Sequence, residues 1–229
     1  MILVLNLKEN LNKNSIIKYE EMIKDKKVIV LPQAPYLVFF RNGEYALGSQ
    51  DVSKYKEGSY TGEISAKAIK TIGASYALIG HFERKEYFNE TIQDFRMKIQ
   101  NAVDEELIPI YCVNQSEEDY KNDTELKEIE NQLEAIPPYV KYVMISYEPS
   151  YMIGVKDAKI DVEHTEKVIM KIKEWLMERY INHSILYGGG VNPSNIDILK
   201  EINGIDGLIM SSSALDENEF DLIYSKINN

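Results

Sequence analysis

A single cysteine, Cys112, in a chain of 229 residues leaves no partner for an intrachain disulfide and no Cys-rich metal framework. Basic residues are also scarce: 26 stand against 37 acidic ones, for a formal net charge of −11. A field of that sign repels polyanions, which argues against nucleic acid or an anionic membrane surface as partner. A small anionic ligand stays open, because local donors in a desolvated pocket outweigh the global field. No stretch approaches the roughly 20 apolar residues needed to span a bilayer. The opening "MILVLNLKEN" has too short an apolar segment for a signal peptide, and no small-residue cleavage pattern. A cytoplasmic protein is the expectation. Linkers rich in Pro, Gly and Ser are missing too, as is a G-x-G-x-x-G after the first apolar run. The latter absence weighs against a doubly wound dinucleotide-binding sheet.

What is present reads as an ordered chain. Hydrophobic residues make up 44 % of it, enough at this length for a substantial core. Eight short runs rich in Ile, Val, Leu and Tyr recur, at 2–5, 28–31, 45–47, 76–79, 108–113, 142–146, 184–186 and 208–210. Most are continuously apolar rather than alternating, as strands buried on both faces of a parallel sheet are. Segments of helical period follow most of them. Over 91–106, Ile92, Phe95, Ile99, Ala102 and Val103 share one face, and Thr91 with Asp94 has the form of a capping box. Over 163–180, Val168, Ile172, Trp175 and Leu176 do the same. Eight strand–helix units without a linker predict an α/β chain folded as one (β/α)8 barrel domain over residues 1–229.

Barrels of this kind build their sites at the C-terminal ends of the strands. Those positions hold Asn6 and Lys8, His81, Asn114, Glu148, residues 188–190 (Gly-Gly-Gly) and residues 211–213 (Ser-Ser-Ser). A lysine, a histidine and a glutamate on one rim suit carbanion chemistry beside a carbonyl. The carboxylate removes a proton, a neutral imidazole polarises and relays, and the ammonium stabilises developing oxyanion charge. In "YGGGVNPSN" the glycines free backbone N–H groups to approach a phosphate, and Asn192-Pro193 predicts a helix start with proline in the first turn. The His-x-Glu pair at 81–83 also occurs in zinc deaminases, but that chemistry needs a Cys pair. Neither a metal nor another cofactor is expected.

Six segments together resemble the triosephosphate isomerase family, in the family's order from first strand to last. They are "NLK" at 6–8, "GSYTGEIS" at 58–65, "IGHFERK" at 79–85, "YEPSYMIG" at 147–154, "YGGGVNPSN" at 187–195 and "DGLIMSSSAL" at 206–215. The resemblance implies a cofactor-independent isomerase that interconverts dihydroxyacetone phosphate and D-glyceraldehyde 3-phosphate through an enediolate. It places Glu148 as the base, His81 as the electrophilic imidazole and Lys8 as the cationic stabiliser. Asn6 falls beside the substrate, and Gly154, Gly189, Gly190, Ser211 and Ser212 fall where the phosphate is held. Residues 149–155 would form a lid, and the loop at 58–65, with Tyr60 and Thr61, would contact the partner of a homodimer near Lys8. Glu83 and Arg84 read as braces, with Glu83 pairing to Lys8.

The chain departs from the family pattern at defined places. Leu7 stands for a tryptophan between Asn and Lys, and Tyr151 for a lid tryptophan. Asn114-Gln115 replaces Gly-Glu, which implies rewired support for the catalytic wall or the lid. The lid runs on as "GVKDAK", without a second glycine, which implies a stiffer or displaced hinge. Phe82 replaces a serine that in the family hydrogen-bonds the resting base, so Glu148 is expected to rest elsewhere, already swung toward catalysis. Ser211-Ser212 replaces paired glycines, and a Cβ there is strained wherever φ is positive. The altered cup leaves two alternatives in play: an isomerase for a longer ketose phosphate such as a tetrulose phosphate, and a non-catalytic sugar-phosphate-binding barrel.

Overall fold

The computed structural model describes residues 1–40, 42–155 and 159–228. Eight parallel strands close into a barrel: β1 (Ile2–Asn6), β2 (Ile29–Leu31), β3 (Ala46–Ser49), β4 (Tyr76–Ile79), β5 (Ile108–Gln115), β6 (Tyr142–Pro149), β7 (Asn182–Tyr187) and β8 (Gly207–Met210). Each pairs with the next, and β8 returns to β1 through Ile2↔Gly207 to Leu5↔Met210. Strands buried on both faces need apolar side chains on both. The structure divides them accordingly. Val4, Ile29, Leu31, Leu78, Ile110, Cys112, Met144, Leu186 and Ile209 fill the barrel interior. The larger cluster, including Leu3, Leu5, Leu7, Ala77, Ile79, Val143 and Ile145, lies between the strands and the outer helices.

The outer layer comprises α1 (Lys13–Ile23), α2 (Ala66–Thr71), α3 (Phe82–Phe88), α4 (Ile92–Asp104), α5 (Glu117–Asn122), α6 (Glu125–Leu133), α7 (Val162–Glu178), α8 (Ile196–Glu201), α9 (Ser212–Leu215) and α10 (Glu217–Asn228). Between β2 and β3 the crossover is a six-residue 3-10 segment, Ala34–Phe39, with Pro35 in its first turn. Thr91 caps α4 in a reciprocal box with Asp94, as the sequence implied, and Phe95, Ile99 and Ala102 are buried. Along α7 the same holds for Val168, Ile172, Trp175 and Leu176, with Asp161 as the cap. Leu7, at the tryptophan position, is buried in the core. Among the described residues, no helix is long and apolar enough to cross a membrane.

One expectation about local structure is corrected. The helix after the triple glycine starts at Ile196 rather than at Pro193, which lies in the preceding turn. Asn195 accounts for the delay, since its side chain accepts from Asn192 N (3.0 Å) and donates to Gly190 O (3.0 Å), folding the segment back on itself first. At Ser211 φ is −125°, and Ser212 is not among the positive-φ residues, so the two serines carry no left-handed strain. The expectation for "GVKDAK" falls on Lys156, Asp157 and Ala158 and lies outside the described residues.

Candidate active site

β1 ends at Asn6, and the chain turns sharply after it. Lys8 has φ +47°, a left-handed conformation that costs a non-glycine residue energy. Three bonds hold it there: Asn6 Oδ1 accepts from Lys8 N (3.3 Å), Gln50 Nε2 donates to Lys8 O (3.0 Å), and the same amide donates to Leu31 O (2.9 Å). The strained backbone aims the Lys8 ammonium at Glu83 Oε1, 2.6 Å away, which is the brace the sequence suggested.

His81 follows β4 as the N-cap of α3, and its Nδ1 accepts from the backbone N–H of Glu83 (3.4 Å). With Nδ1 accepting from that N–H, Nε2 is the ring nitrogen free to donate. Nε2 points into the barrel mouth, 3.6 Å from Glu148 Oε2. Glu83 Oε2 also lies 3.4 Å from Nδ1. The Lys8 ammonium holds the Glu83 carboxyl below its ordinary value, against the opposing effect of partial burial. Arg84 reaches Glu90 and Asp51, tying the loop after β3 to the segment after α3.

Glu148 lies within β6 rather than beyond it, because the β5–β6 ladder runs on through Asn114↔Glu148 to Gln115↔Pro149. It is 2 % exposed. Its Oε1 accepts from the Ser146 hydroxyl (2.9 Å) and its Oε2 from the Asn114 amide (3.4 Å). The base therefore rests on polar partners other than residue 82, as the loss of the serine implied. Phe82 instead packs its ring 4.9 Å from that of His81 and 5.7 Å from the Lys8 ammonium. It forms a greasy wall beside both.

One cavity of about 40 Å3 gathers Asn6, Lys8, His81, Glu148, Gly154, Gly190, Ser211 and Ser212. Among the catalytic and substrate-holding residues that the resemblance assigns, Gly189 is the exception; it is not among those lining this cavity. Gly188 takes a part there that the sequence did not reveal. A Cβ on it would sit 2.7 Å from Glu148 Cγ, so its bare backbone is what gives the carboxylate arm room. Gly190 has φ +64°, and a Cβ there would meet Met152 O at 2.5 Å, so the lid segment rests directly on its backbone. Ser146 was also missed. It lies two residues before Glu148 on one strand and therefore shares its face, a signal that strand period alone carries.

Support for the lid comes from Gln115, as the departure from Gly-Glu implied. Its carbonyl accepts from the Ser150 hydroxyl (3.0 Å), and its side chain meets Tyr147 and His164. Tyr151 lies 5.6 Å, ring to ring, from Tyr120, so an aromatic anchor persists. Cys112 is fully buried inside the barrel, where burial and the neighbouring Glu148 carboxylate push its thiol well above the ordinary value. Among the described residues, no cluster of three or more His, Cys, Asp or Glu side chains could hold a metal ion.

A closed parallel barrel with a buried carboxylate, an imidazole and an ammonium around one strand-end cavity defines the class of barrel isomerases that move a proton next to a carbonyl. The particular family follows from comparison. The family model described as Triosephosphate isomerase matches residues 1–227, and the chain belongs to that family. A triosephosphate isomerase of Wolbachia pipientis wMel is 32 % identical over 250 residues, covering 100 % of this chain and 99 % of the relative. One of Alkaliphilus metalliredigens is 37 % identical over 186 residues, 76 % of this chain and 74 % of the relative. One of Gloeobacter violaceus is 34 % identical over 180 residues, 78 % and 74 %.

Proposed function

We propose that the chain, acting as one barrel domain, interconverts dihydroxyacetone phosphate and D-glyceraldehyde 3-phosphate. The observation that carries this reading is the placement of Glu148 Oε2 3.6 Å from His81 Nε2, with Lys8 lining the same cavity. Glu148 takes the proton from the carbon next to the carbonyl, and the electron pair moves into an enediolate. The N–H of His81 donates to the carbonyl oxygen as charge develops, then relays a proton between the two oxygens. A neutral imidazole set at a helix N-terminus is the established arrangement of this family. Lys8 offsets the oxyanion charge. Glu148 returns the proton to the neighbouring carbon, so the reaction needs no external oxidant or reductant.

Asn6 sits beside the substrate, and backbone N–H groups of Gly154, Gly190, Ser211 and Ser212 hold the phosphate. Gly189 serves by letting the chain pass close. The cavity has room for a few waters rather than a sugar phosphate, so the lid at residues 149–155 moves on binding. Its closure shields the enediolate, which in water eliminates phosphate. The match to triosephosphate isomerases along the whole chain favours the triose over a longer ketose.

The working unit is a homodimer in the cytoplasm. The loop at residues 58–65 exposes Tyr60 (44 %) and Ile64 (39 %), while Tyr87 (68 %) and Phe88 (59 %) stand exposed at a groove of about 350 Å3 that reaches Lys8. Apolar side chains of that size on one rim suit a partner's loop. The deciding experiment is turnover of glyceraldehyde 3-phosphate with Glu148→Gln as control. The parent should convert it and the variant should lose at least about 1,000-fold in kcat while keeping its fold. No triose turnover with ready conversion of a four-carbon ketose phosphate, or binding without any turnover, would overturn the reading.

A further inference from the structure

The resting partner of the base has been moved in this chain. Phe82 occupies the position where the family has a hydroxyl for that purpose, yet the carboxylate is not left bare. Ser146 and Glu148 are two residues apart on β6 and point the same way, with Oγ 2.9 Å from Oε1. Asn114 is the cross-strand partner of Glu148 in the β5–β6 register, and its Nδ2 lies 3.4 Å from Oε2. That contact is long, so Ser146 supplies the stronger bond and Asn114 the second point of support.

Asn114 is fixed in place by more than its strand. The Gln132 side chain, from α6, takes both backbone groups of Asn114, accepting from its N–H (2.9 Å) and donating to its C=O (2.8 Å). Gln132 Oε1 also accepts from the Lys85 ammonium (2.6 Å), and its Nε2 donates to Glu128 (3.2 Å). Meanwhile Asn114 Oδ1 is buried with no hydrogen-bond partner among the described residues. Packing alone gives no reason to keep half a buried amide unsatisfied. The half that is satisfied faces the base.

We infer that Ser146 and Asn114 are the positioning residues that hold Glu148 at rest, taking over the duty that Phe82 cannot perform, with Gln132 and Lys85 locking Asn114 from behind. This rests on the reading of Glu148 as the catalytic base. Moving the contact frees position 82 for an aromatic ring beside His81 and Lys8.

The test measures triose-phosphate turnover for the parent, for Ser146→Ala with Asn114→Gly, and for that double variant carrying Phe82→Ser. Circular dichroism and thermal melting check each fold. The double variant should lose about 10- to 100-fold in kcat with KM within about threefold, since a misaimed base costs chemistry rather than binding. Adding Phe82→Ser should recover about 10-fold or more, because a hydroxyl returns to the other side of the carboxylate. A folded double variant within twofold of the parent would overturn the inference. A loss that Phe82→Ser leaves unrepaired would do the same, since that is what a merely structural role gives. If the double variant does not fold, the single variants carry the same comparison with about threefold to tenfold effects expected. A parent without isomerase activity would overturn the proposed function and this inference together, whereas an active parent isolates the inference.

Discussion

The Lys8 ammonium lies 2.6 Å from Glu83 Oε1, and the backbone N–H of the same Glu83 donates to His81 Nδ1. One residue thus steadies the cation with its side chain and sets the imidazole tautomer with its main chain. It occupies the second position of α3, where a negative charge also suits the helix dipole.

Glu83→Gln should therefore separate the two duties. The backbone bond to His81 survives, and the pairing with Lys8 is weakened. A fall of about 10-fold in kcat/KM is expected, with the Nε2 proton still in place. The stability effect has a definite pH window. The native carboxyl titrates below the unfolded one near 4.5, so its contribution is full above 4.5 and is lost as pH falls below that. The group is about a third exposed, so solvent screening brings the contribution to about 1 kcal/mol. Denaturant melts of parent and variant should converge as pH falls below 4.5, and a pH-independent gap would contradict the assignment.

At Lys8 the backbone and the side chain can be tested apart. Lys8→Ala and Lys8→Gly both remove the ammonium and should both lose activity. Glycine accepts φ +47° without the Cβ clash, so Lys8→Gly should be the more stable of the two by about 1 kcal/mol. That order is the reverse of the usual alanine-over-glycine ranking. Equal melting temperatures would show that the strain is relieved elsewhere.

Two glycines near the lid should respond differently to alanine. At Gly154 (φ +79°) a Cβ meets nothing within 4 Å, so only the left-handed conformation costs, about 1 kcal/mol. At Gly190 (φ +64°) the same Cβ strikes Met152 O at 2.5 Å, and backbone has to move. Gly190→Ala should cost at least about 2 kcal/mol and raise KM, because the lid no longer seats. Comparable melting points for the two variants would refute the close approach.

Lys85 makes the support behind Asn114 sensitive to alkali. Burial lowers its ammonium from the ordinary 10.5 to about 8. Between those values the unfolded chain binds more protons than the native one, so stability from this group rises with pH across 8 to 10.5. At about 1.4 kcal/mol per unit the full effect is about 3 kcal/mol, part of which the bond to Gln132 offsets. Lys85→Met should melt later than the parent at pH 7 by about 1–2 kcal/mol, with the advantage gone by pH 10.5. It should also be the slower enzyme. A gap that stays constant with pH would rule out the buried charge as its cause.

Much of this molecule is legible in its one-dimensional chain. Continuous apolar runs at regular spacing are what a closed parallel barrel requires, because its strands meet side chains on both faces. The capping box at Thr91, the inward stripes of α4 and α7, and the brace between Lys8 and Glu83 follow from local chemistry or from the order of short motifs. Helix 196–201 starts late because Asn195 spends its side chain on the glycine loop, a choice that no propensity reveals.

The candidate site divides along the same line. Which residue types stand at the strand ends is a property of the sequence, and Asn6, Lys8, His81 and Glu148 could be named from it. How the base is held is not. The Ser146 contact was within reach of strand period, but the Asn114 contact depends on the register of β5 against β6, and its lock on a helix eighteen residues away. Nor did composition reveal that Ser211 avoids positive φ, or that Gly188 rather than Gly189 makes space for the carboxylate. These are matters of close approach between segments distant in the chain, and such distances exist only once the barrel has closed.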